Sequence, residues 1–149
     1  MTKKVILITG GAGRIGSTLA KAIVSLGASV AIVDLNKKKL KKLEKELGKK
    51  NCFIVISDAS SKKGSKLCIS KAFDYFGRID AAVHAAYPRS ARWGTRFEDL
   101  DNFFLGQDLT RQLGGAILFS QQILSFFKKQ GYGNLIHISS IQGVAAPKF

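Results

Sequence analysis

Short apolar stretches alternate along the chain with segments in which apolar residues recur at helical spacing. The short stretches are typical of buried strands, and the longer segments are typical of helices that pack on a sheet. Strands are predicted at residues 5–8, 28–33, 52–56, 79–84 and 134–139. Helices are predicted at residues 17–26, 37–47 and from a cap at Ser60 or Ser61 to residue 76. The sequence is again helical from about 97 through 127, either as one helix or as a short helix that leads into a long one. This alternation predicts an α/β fold, with a parallel sheet of about five strands covered by helices on both faces.

A glycine-rich segment, residues 9–16, joins the first predicted strand to the first predicted helix. Glycine allows the backbone to turn tightly and to approach a pyrophosphate, while a helix N-terminus offers free N–H groups and a positive dipole end. The second predicted strand ends in Asp34, 18 residues after Gly16. This is near the offset of about 20 residues at which a carboxylate meets the adenosine ribose. The arrangement favours a dinucleotide site over a glycine loop that only connects two elements.

Length and composition limit the class of protein. The 149 residues predict one domain, spanning 1–149, and the 46% hydrophobic content predicts a folded chain. No apolar run approaches the ~20 residues of a membrane span, so we expect a cytoplasmic protein with no membrane partner. Cys52 and Cys68 lack metal-ligand spacing, and His84 and His137 lie in predicted strands, so we expect no metal site.

The net charge of +14 raises the question of nucleic-acid binding. The densest lysine cluster lies on and just after the predicted helix 37–47, in which Leu40, Leu43 and Leu47 form an apolar stripe. The lysines are therefore predicted to form the solvated face of that helix. No aromatic residues interleave with them to stack on bases. We therefore expect no nucleic-acid partner.

Several segments, in the same order along the chain, resemble the short-chain dehydrogenase/reductase family. They are the glycine turn, Asp58-Ala59 after the third strand, residues 76–80 before the fourth strand, and residues 133–143 around the fifth. The resemblance implies a Rossmann-like doubly wound sheet in three layers. It also implies an NAD(P)-dependent oxidoreductase that transfers a hydride between the nicotinamide cofactor and a hydroxyl or carbonyl group of a small-molecule substrate.

The resemblance assigns roles to particular residues. Ser140 matches the catalytic serine, whose hydroxyl binds the substrate oxygen while a tyrosine, tuned by a nearby lysine, transfers the proton. An acid at Asp34 favours NAD, because it accepts hydrogen bonds from the ribose and repels the 2′-phosphate of NADP, which is the alternative cofactor. The candidate cofactor-binding residues are Thr9, Gly10, Gly13, Arg14, Ile15, Gly16, Asp34, Leu35, Asp58, Ala59, Ala85 and Ala86.

The chain also departs from the family pattern. The family's Tyr-x-x-x-Lys is absent, and nine residues follow Ser140. We therefore expect a C-terminally truncated cofactor-binding domain that is inactive as written, and a homo-oligomer in the full-length form. Strand four usually ends in Asn-Asn-Ala-Gly, where this chain has residues 84–87, His-Ala-Ala-Tyr. Gln112 lies about where the family often has an asparagine of the proton relay, and both a relay role and a purely structural role stay open for it.

Two other functions stay open on the sequence alone. The chain could be a non-catalytic module that only binds a dinucleotide. The spacing of Gly10, Gly13 and Gly16 also occurs in the sugar-nucleotide epimerases and dehydratases of the same superfamily. Within the dehydrogenase branch, the opening and residues 146–149 resemble a surface-glycan biosynthesis dehydrogenase.

Overall fold

The computed structural model describes residues 3–141 and residue 144. Five strands form one sheet: β1 (Val5–Thr9), β2 (Ser29–Asp34), β3 (Cys52–Ile56), β4 (Ala81–His84) and β5 (Asn134–His137). Five α-helices accompany them: α1 (Arg14–Ser25), α2 (Lys37–Leu47), α3 (Lys62–Phe76), α4 (Asn102–Leu109) and α5 (Gly115–Gln130). A 3₁₀ turn covers Phe97–Asp99, and a π-helical turn, Thr110–Gly114, joins α4 to α5.

All strand pairs are parallel, and the sheet order is β3-β2-β1-β4-β5. The chain runs outward from β1 to β3 and then crosses back to β4 on the other side of β1. In a sheet of this kind, ligands bind outside the carboxyl ends of the strands, where the order reverses. The ends of β1 and β4 therefore mark the place to look for a site.

Two apolar clusters confirm the three-layer arrangement. One packs α3 and α5 on one sheet face, with Phe119, Ile123 and Phe127 among its buried side chains. The other packs α1 and α2 on the opposite face, where Leu40 and Leu43 are buried. The eight lysines between residues 37 and 50 are exposed, as the apolar stripe predicts. The predicted Rossmann-like doubly wound fold is confirmed.

Several element boundaries differ from the predictions. Helix α1 begins at Arg14 instead of residue 17, because the backbone of Gly13 already acts as its N-cap. Strand β4 begins at Ala81 instead of residue 79, and β5 ends at His137 instead of residue 139. The segment after residue 97 contains a short helix, α4, that leads through the π-helical turn into the long helix α5, which is one of the two predicted arrangements. Within the described residues, none of the helices is both long and apolar enough to cross a membrane.

Both cysteines are core residues. Cys52 and Cys68 are fully buried, one in each apolar cluster. Burial raises the pKa of each thiol to about 12. Both thiols are therefore protonated and unreactive at neutral pH.

A buried carboxylate ties the amino end of β1 to the segment that leads into β4. Asp80 accepts hydrogen bonds from the Lys4 ammonium, the Val5 N–H and the Arg78 Nε–H, each at 2.9 Å. Burial raises the pKa of Asp80, but the hydrogen bonds from Arg78, Lys4 and Val5 outweigh it and hold the pKa at about 2. The ionised carboxylate therefore stabilises the fold.

Replacing Asp80 with asparagine is expected to lower the free energy of unfolding at pH 7 by roughly 2 kcal/mol. Because the pKa of Asp80 is below its ordinary value of 3.8, its contribution is complete above pH 4 and is lost as the pH falls towards 2. Urea denaturation at pH 7 and at pH 2.5 measures both effects. Asp74→Asn, at an exposed position on α3, is the control and should change little. Equal losses in the two variants at pH 7 would contradict the expectation.

Candidate functional site

The turn between β1 and α1 accepts only glycine at its critical positions. Gly10 has a φ of +65°, and a Cβ there would lie 2.5 Å from the Ala85 carbonyl oxygen. A Cβ on Gly16 would collide with the carbonyl oxygen of Gly10, which itself accepts a hydrogen bond from the Gly13 N–H at 2.9 Å. The turn therefore folds against its own helix and against the loop after β4, with backbone groups at its surface.

The N-terminus of α1 is suited to an anion. Its N-cap is Gly13, which has no side chain to accept a hydrogen bond, and no acidic residue lies in the first turn. Arg14 and Ile15 are exposed there. The dipole and the N–H groups of the first turn are thus available to a negative group such as a pyrophosphate. The predicted residues Thr9 to Gly16 are brought together in this turn.

Asp34 connects the end of β2 to the glycine turn. One of its carboxylate oxygens accepts the Ala12 N–H at 3.1 Å, and the other accepts the Asn36 N–H at 2.9 Å. A backbone hydrogen bond from the Gly11 N–H to the Val33 carbonyl, at 3.0 Å, runs alongside. The negative charge is therefore fixed beside the turn, and the neighbouring Leu35 side chain is exposed.

Asp58 lies at the end of β3, on the far side of Asp34 from the glycine turn. One of its carboxylate oxygens accepts hydrogen bonds from the Ser60 N–H and hydroxyl, at 3.0 and 2.6 Å. The other oxygen is 3.6 Å from a guanidinium nitrogen of Arg111. The Ala59 side chain is buried in the core beneath α3, so its backbone rather than its methyl group could contact a ligand.

The loop after β4 is fastened to the helices behind it. Asp108 accepts hydrogen bonds from the Ser90 N–H at 2.7 Å and from its hydroxyl at 2.8 Å. The Gln112 amide donates to the Pro88 carbonyl at 3.0 Å. At its start the loop packs on the glycine turn, because the backbone of Ala85 and Ala86 lies directly against Gly10.

The outer part of this loop forms one wall of a cavity of about 420 Å³. Trp93, Phe104 and Leu109 contribute apolar surface to it, and Asp108 and Gln112 contribute polar groups. The Trp93 ring packs edge-on against Tyr87, with the ring centroids 5.2 Å apart. The cavity has a size and lining typical of small-molecule sites.

Ser140 follows β5 and is exposed. The register pairs His84 with His137, and the Ile138 N–H donates to the His84 carbonyl at 3.0 Å. Ser140 therefore leaves the sheet at the same edge as Ala85. The residues predicted for the site thus meet at the carboxyl edge of the sheet, although they are spread over the chain.

Three features of this edge were not predicted from the sequence. They are the Arg111–Asp58 ion pair, the Asp108–Ser90 hydrogen bonds and the π-helical turn. The turn carries Arg111 towards β3 and Gln112 towards the loop after β4. A π-helical turn inside a longer helix is frequent at functional sites, but it has no signal in the spacing of apolar residues.

Comparison with known proteins agrees with this geometry. The sequence pattern of the family described as short chain dehydrogenase matches residues 4–149. The chain belongs to the short-chain dehydrogenase family.

Among the described residues, no group of three or more His, Cys, Asp or Glu side chains could hold a metal ion.

Individual relatives of this short-chain dehydrogenase chain act on different molecules. The post-translational flagellin modification protein A of Campylobacter coli is 37% identical over 153 residues, covering 100% of this chain and 60% of the relative. The 7alpha-hydroxysteroid dehydrogenase of Bacteroides fragilis is 30% identical, and the match covers 96% of this chain and 56% of that relative. The crystal structure of an NAD⁺-bound xylitol dehydrogenase superposes on this chain with a TM-score of 0.87. Its sequence is 25% identical, and the match covers 97% of this chain and 55% of that protein. The chain thus spans a little over half the length of these relatives.

Proposed function

We propose that these 149 residues form the cofactor-binding part of an NAD-dependent oxidoreductase. Its reaction would move a hydride between the nicotinamide cofactor and a hydroxyl or carbonyl group of a small-molecule substrate in the cytoplasm. The observation that carries the proposal is the hydrogen bond from the Ala12 N–H to the Asp34 carboxylate, at 3.1 Å. It fixes an acid beside a glycine turn, which is the arrangement that distinguishes a dinucleotide site from a simple loop.

The residues fit an NAD molecule bound along the carboxyl edge. The N–H groups at the start of α1 would hold the pyrophosphate, and Asp34 would accept hydrogen bonds from the adenosine ribose. Asp58 would contact the adenine, and Ala85 and Ala86 would pass the cofactor towards β5. There Ser140 would bind the substrate oxygen. When bound, the cofactor supplies or accepts the hydride.

The names of the relatives support alcohols or ketones as substrates of the proposed reaction. Two of them are named as dehydrogenases of hydroxyl compounds, a steroid and a sugar alcohol, and the second was solved with NAD⁺. The flagellin modification protein has the highest identity of the three and supports a glycan-related substrate for this chain. The chain's opening residues and its last four, read from the sequence, point in the same direction.

A second candidate is a module that binds the dinucleotide without turning it over. The 149 residues contain Tyr75, Tyr87 and Tyr132, and none is followed four residues later by lysine. The family's proton donor is therefore missing from this stretch of sequence. Under this proposal the chain would bind NADH and leave carbonyl compounds unreduced.

Calorimetric titration of the 149-residue chain with NADH and NADPH tests the proposal. We expect NADH to bind with a Kd in the micromolar range and at least about tenfold more tightly than NADPH. The NADH complex is then mixed with a panel of ketones. The enzyme would oxidise NADH, with loss of its absorbance at 340 nm, whereas the binding module would leave the absorbance unchanged. Absence of any NADH binding by a folded chain would refute both candidates. A salt-sensitive affinity for DNA in its place would support a nucleic-acid protein.

Replacing Asp34 with asparagine is expected to reduce the preference for NADH over NADPH by about tenfold, or ~1.4 kcal/mol. The amide is neutral, so it no longer repels a 2′-phosphate, and it accepts hydrogen bonds from the ribose less strongly. Titration of both cofactors into both proteins measures the change. Asp99→Asn is the control: it removes the same charge from the exposed 3₁₀ turn, outside the glycine turn. It should leave the ratio of the NADPH and NADH Kd values unchanged. An unchanged ratio in the Asp34 variant would count against its assignment to the ribose.

A further inference from the structure

Four polar side chains form a row across the carboxyl edge of the sheet. Thr9, His84 and His137 are register partners on β1, β4 and β5, and Ser120 extends the row from α5. The Thr9 hydroxyl lies 2.8 Å from His84 Nδ1, and the Ser120 hydroxyl lies 2.9 Å from His137 Nε2. The centroids of the two imidazole rings are 5.4 Å apart. We call these four residues the polar row.

Hydrogen-bond donors and acceptors determine where the protons of the row lie. The Ser120 hydroxyl donates to the Ala116 carbonyl at 2.7 Å, so it must accept from His137 Nε2–H. One hydrogen bond joins His84 Nδ1 to the Thr9 hydroxyl, and either group can be its donor, depending on the tautomer of the imidazole. The row is satisfied when both rings are neutral.

His84 cannot easily become charged. Its side chain is 6% exposed, and its ring stacks on Phe119 with a centroid separation of 4.8 Å. Among the described residues that contact its ring, β1 contributes Thr9, α5 contributes Phe119 and β5 contributes His137. Of these three side chains only His137 is ionisable, and none is a carboxylate that could compensate a charge on His84. Burial lowers the pKa of His84 to about 4, and the charge of His137 acts in the same direction.

The row lies directly beneath the candidate site. On β1, Thr9 is followed by Gly10, and the Ala85 N–H donates to the Thr9 carbonyl at 3.2 Å. On β5, the Ile138 N–H donates to the His84 carbonyl at 3.0 Å, two residues before Ser140. Any loosening of the row would therefore release the glycine turn from the loop after β4 and from the strand that leads to Ser140.

We propose that His84 is a positioning residue that holds the glycine turn and the Ser140 strand together only while its imidazole ring is neutral. Acid then opens this edge of the sheet and weakens dinucleotide binding. The binding consequence rests on the proposed function, whereas the opening of the edge does not. The substitution of histidine for the usual asparagine at residue 84 is what makes the edge titratable.

The direction and size of the effect follow from linkage. A histidine with a pKa of about 6.5 in the open edge and about 4 in the closed edge stabilises the closed edge fully above pH 6.5. This stabilisation is lost progressively as the pH falls from 6.5 to 4. Between pH 7.5 and pH 5 the ratio of closed to open edge should fall by about 30-fold.

Amide hydrogen exchange of the Ala85 and Ile138 N–H groups measures this ratio in the free protein. After correction for intrinsic rates, we expect protection to fall by about 30-fold from pH 7.5 to pH 5. His84→Asn places a neutral amide near Thr9 and should make protection independent of pH. The chain has two histidines, so the variant leaves His137 as the one remaining imidazole. His84→Gln is a second neutral variant, in case the first does not fold.

The Kd for NADH is then measured over the same pH range. As the pH is lowered from 7.5 to 5, the affinity for NADH should fall in the original chain. In His84→Asn and His84→Gln it should stay constant. Protection that is independent of pH in the original chain, or that falls equally in a folded neutral variant, would overturn it. If protection falls as expected while NADH does not bind at pH 7.5, the polar row stands and the cofactor proposal fails.

Discussion

Replacing Gly16 with alanine is expected to weaken dinucleotide binding by this chain severely. The added Cβ would collide with the Gly10 carbonyl oxygen and lie 2.8 Å from the Gly11 Cα, so the backbone of the turn would have to move. Both groups belong to the surface against which a pyrophosphate would lie, and neither can rotate away as a side chain could. We expect the Kd for NADH to rise by at least about 100-fold, or ~2.7 kcal/mol.

Two further glycine variants calibrate this result. A Cβ on Gly13 would lie 3.1 Å from the Gly10 carbonyl oxygen, so Gly13→Ala should weaken binding less than Gly16→Ala. Gly106, in α4, has open space where an added methyl group would lie, and its change to alanine should leave binding unchanged. Calorimetry with NADH on the three variants gives the order. Binding by Gly16→Ala within threefold of the original chain would show that the turn does not hold the cofactor.

Replacing Gly64 with alanine is expected to destabilise the fold strongly. A Cβ on Gly64 would collide with the Asp58 carbonyl oxygen and lie 2.9 Å from the Ser57 hydroxyl. The carbonyl cannot retreat, because it accepts hydrogen bonds from the Ser61 N–H at 3.2 Å and from the Ser61 hydroxyl at 3.0 Å. We expect the free energy of unfolding to fall by roughly 3 kcal/mol.

Urea denaturation of Gly64→Ala measures this loss, and Gly114→Ala provides the matched control. Gly114 is helical, and a Cβ there would meet open space, so its substitution should be neutral or stabilising by up to about 1 kcal/mol. A Cβ on Gly64 would also displace the backbone of Asp58, which is assigned to the adenine. The folded fraction of Gly64→Ala should therefore bind NADH with a higher Kd than the original chain. Equal stability of the two variants would mean that α3 shifts freely against the end of β3.

Local patterns in the sequence were sufficient for most of the fold. Apolar runs locate β3 at Cys52–Ile56, and the leucine stripe locates α2 at Lys37–Leu47, both at the observed bounds. The order of strands and helices then leaves few ways to build a parallel sheet, because crossovers between parallel strands are right-handed. The glycine turn and Asp34 could be paired in advance since the offset between them is set by one strand–helix–strand unit.

Contacts between distant segments were not accessible in the same way. Arg111 meets Asp58 and Gln112 meets Pro88 because a π-helical turn rotates the side chains that follow it, and apolar spacing does not encode that rotation. The pairing of Thr9 with His84 depends on strand register, which is set when the sheet assembles. Such contacts decide how the edge behaves chemically, so the site is less predictable than the fold.

The position of the single tryptophan determines what intrinsic fluorescence can report. Trp93 is 43% exposed, in a loop that is held to α4 by the Ser90–Asp108 hydrogen bonds and not by the buried sheet. Its emission therefore follows release of that loop, whereas far-ultraviolet circular dichroism follows the helices and strands. In urea denaturation, the curve followed by Trp93 emission and the curve followed by circular dichroism should therefore separate. The emission should change at the lower urea concentration. In that interval the loop has left α4 while the parallel sheet remains folded.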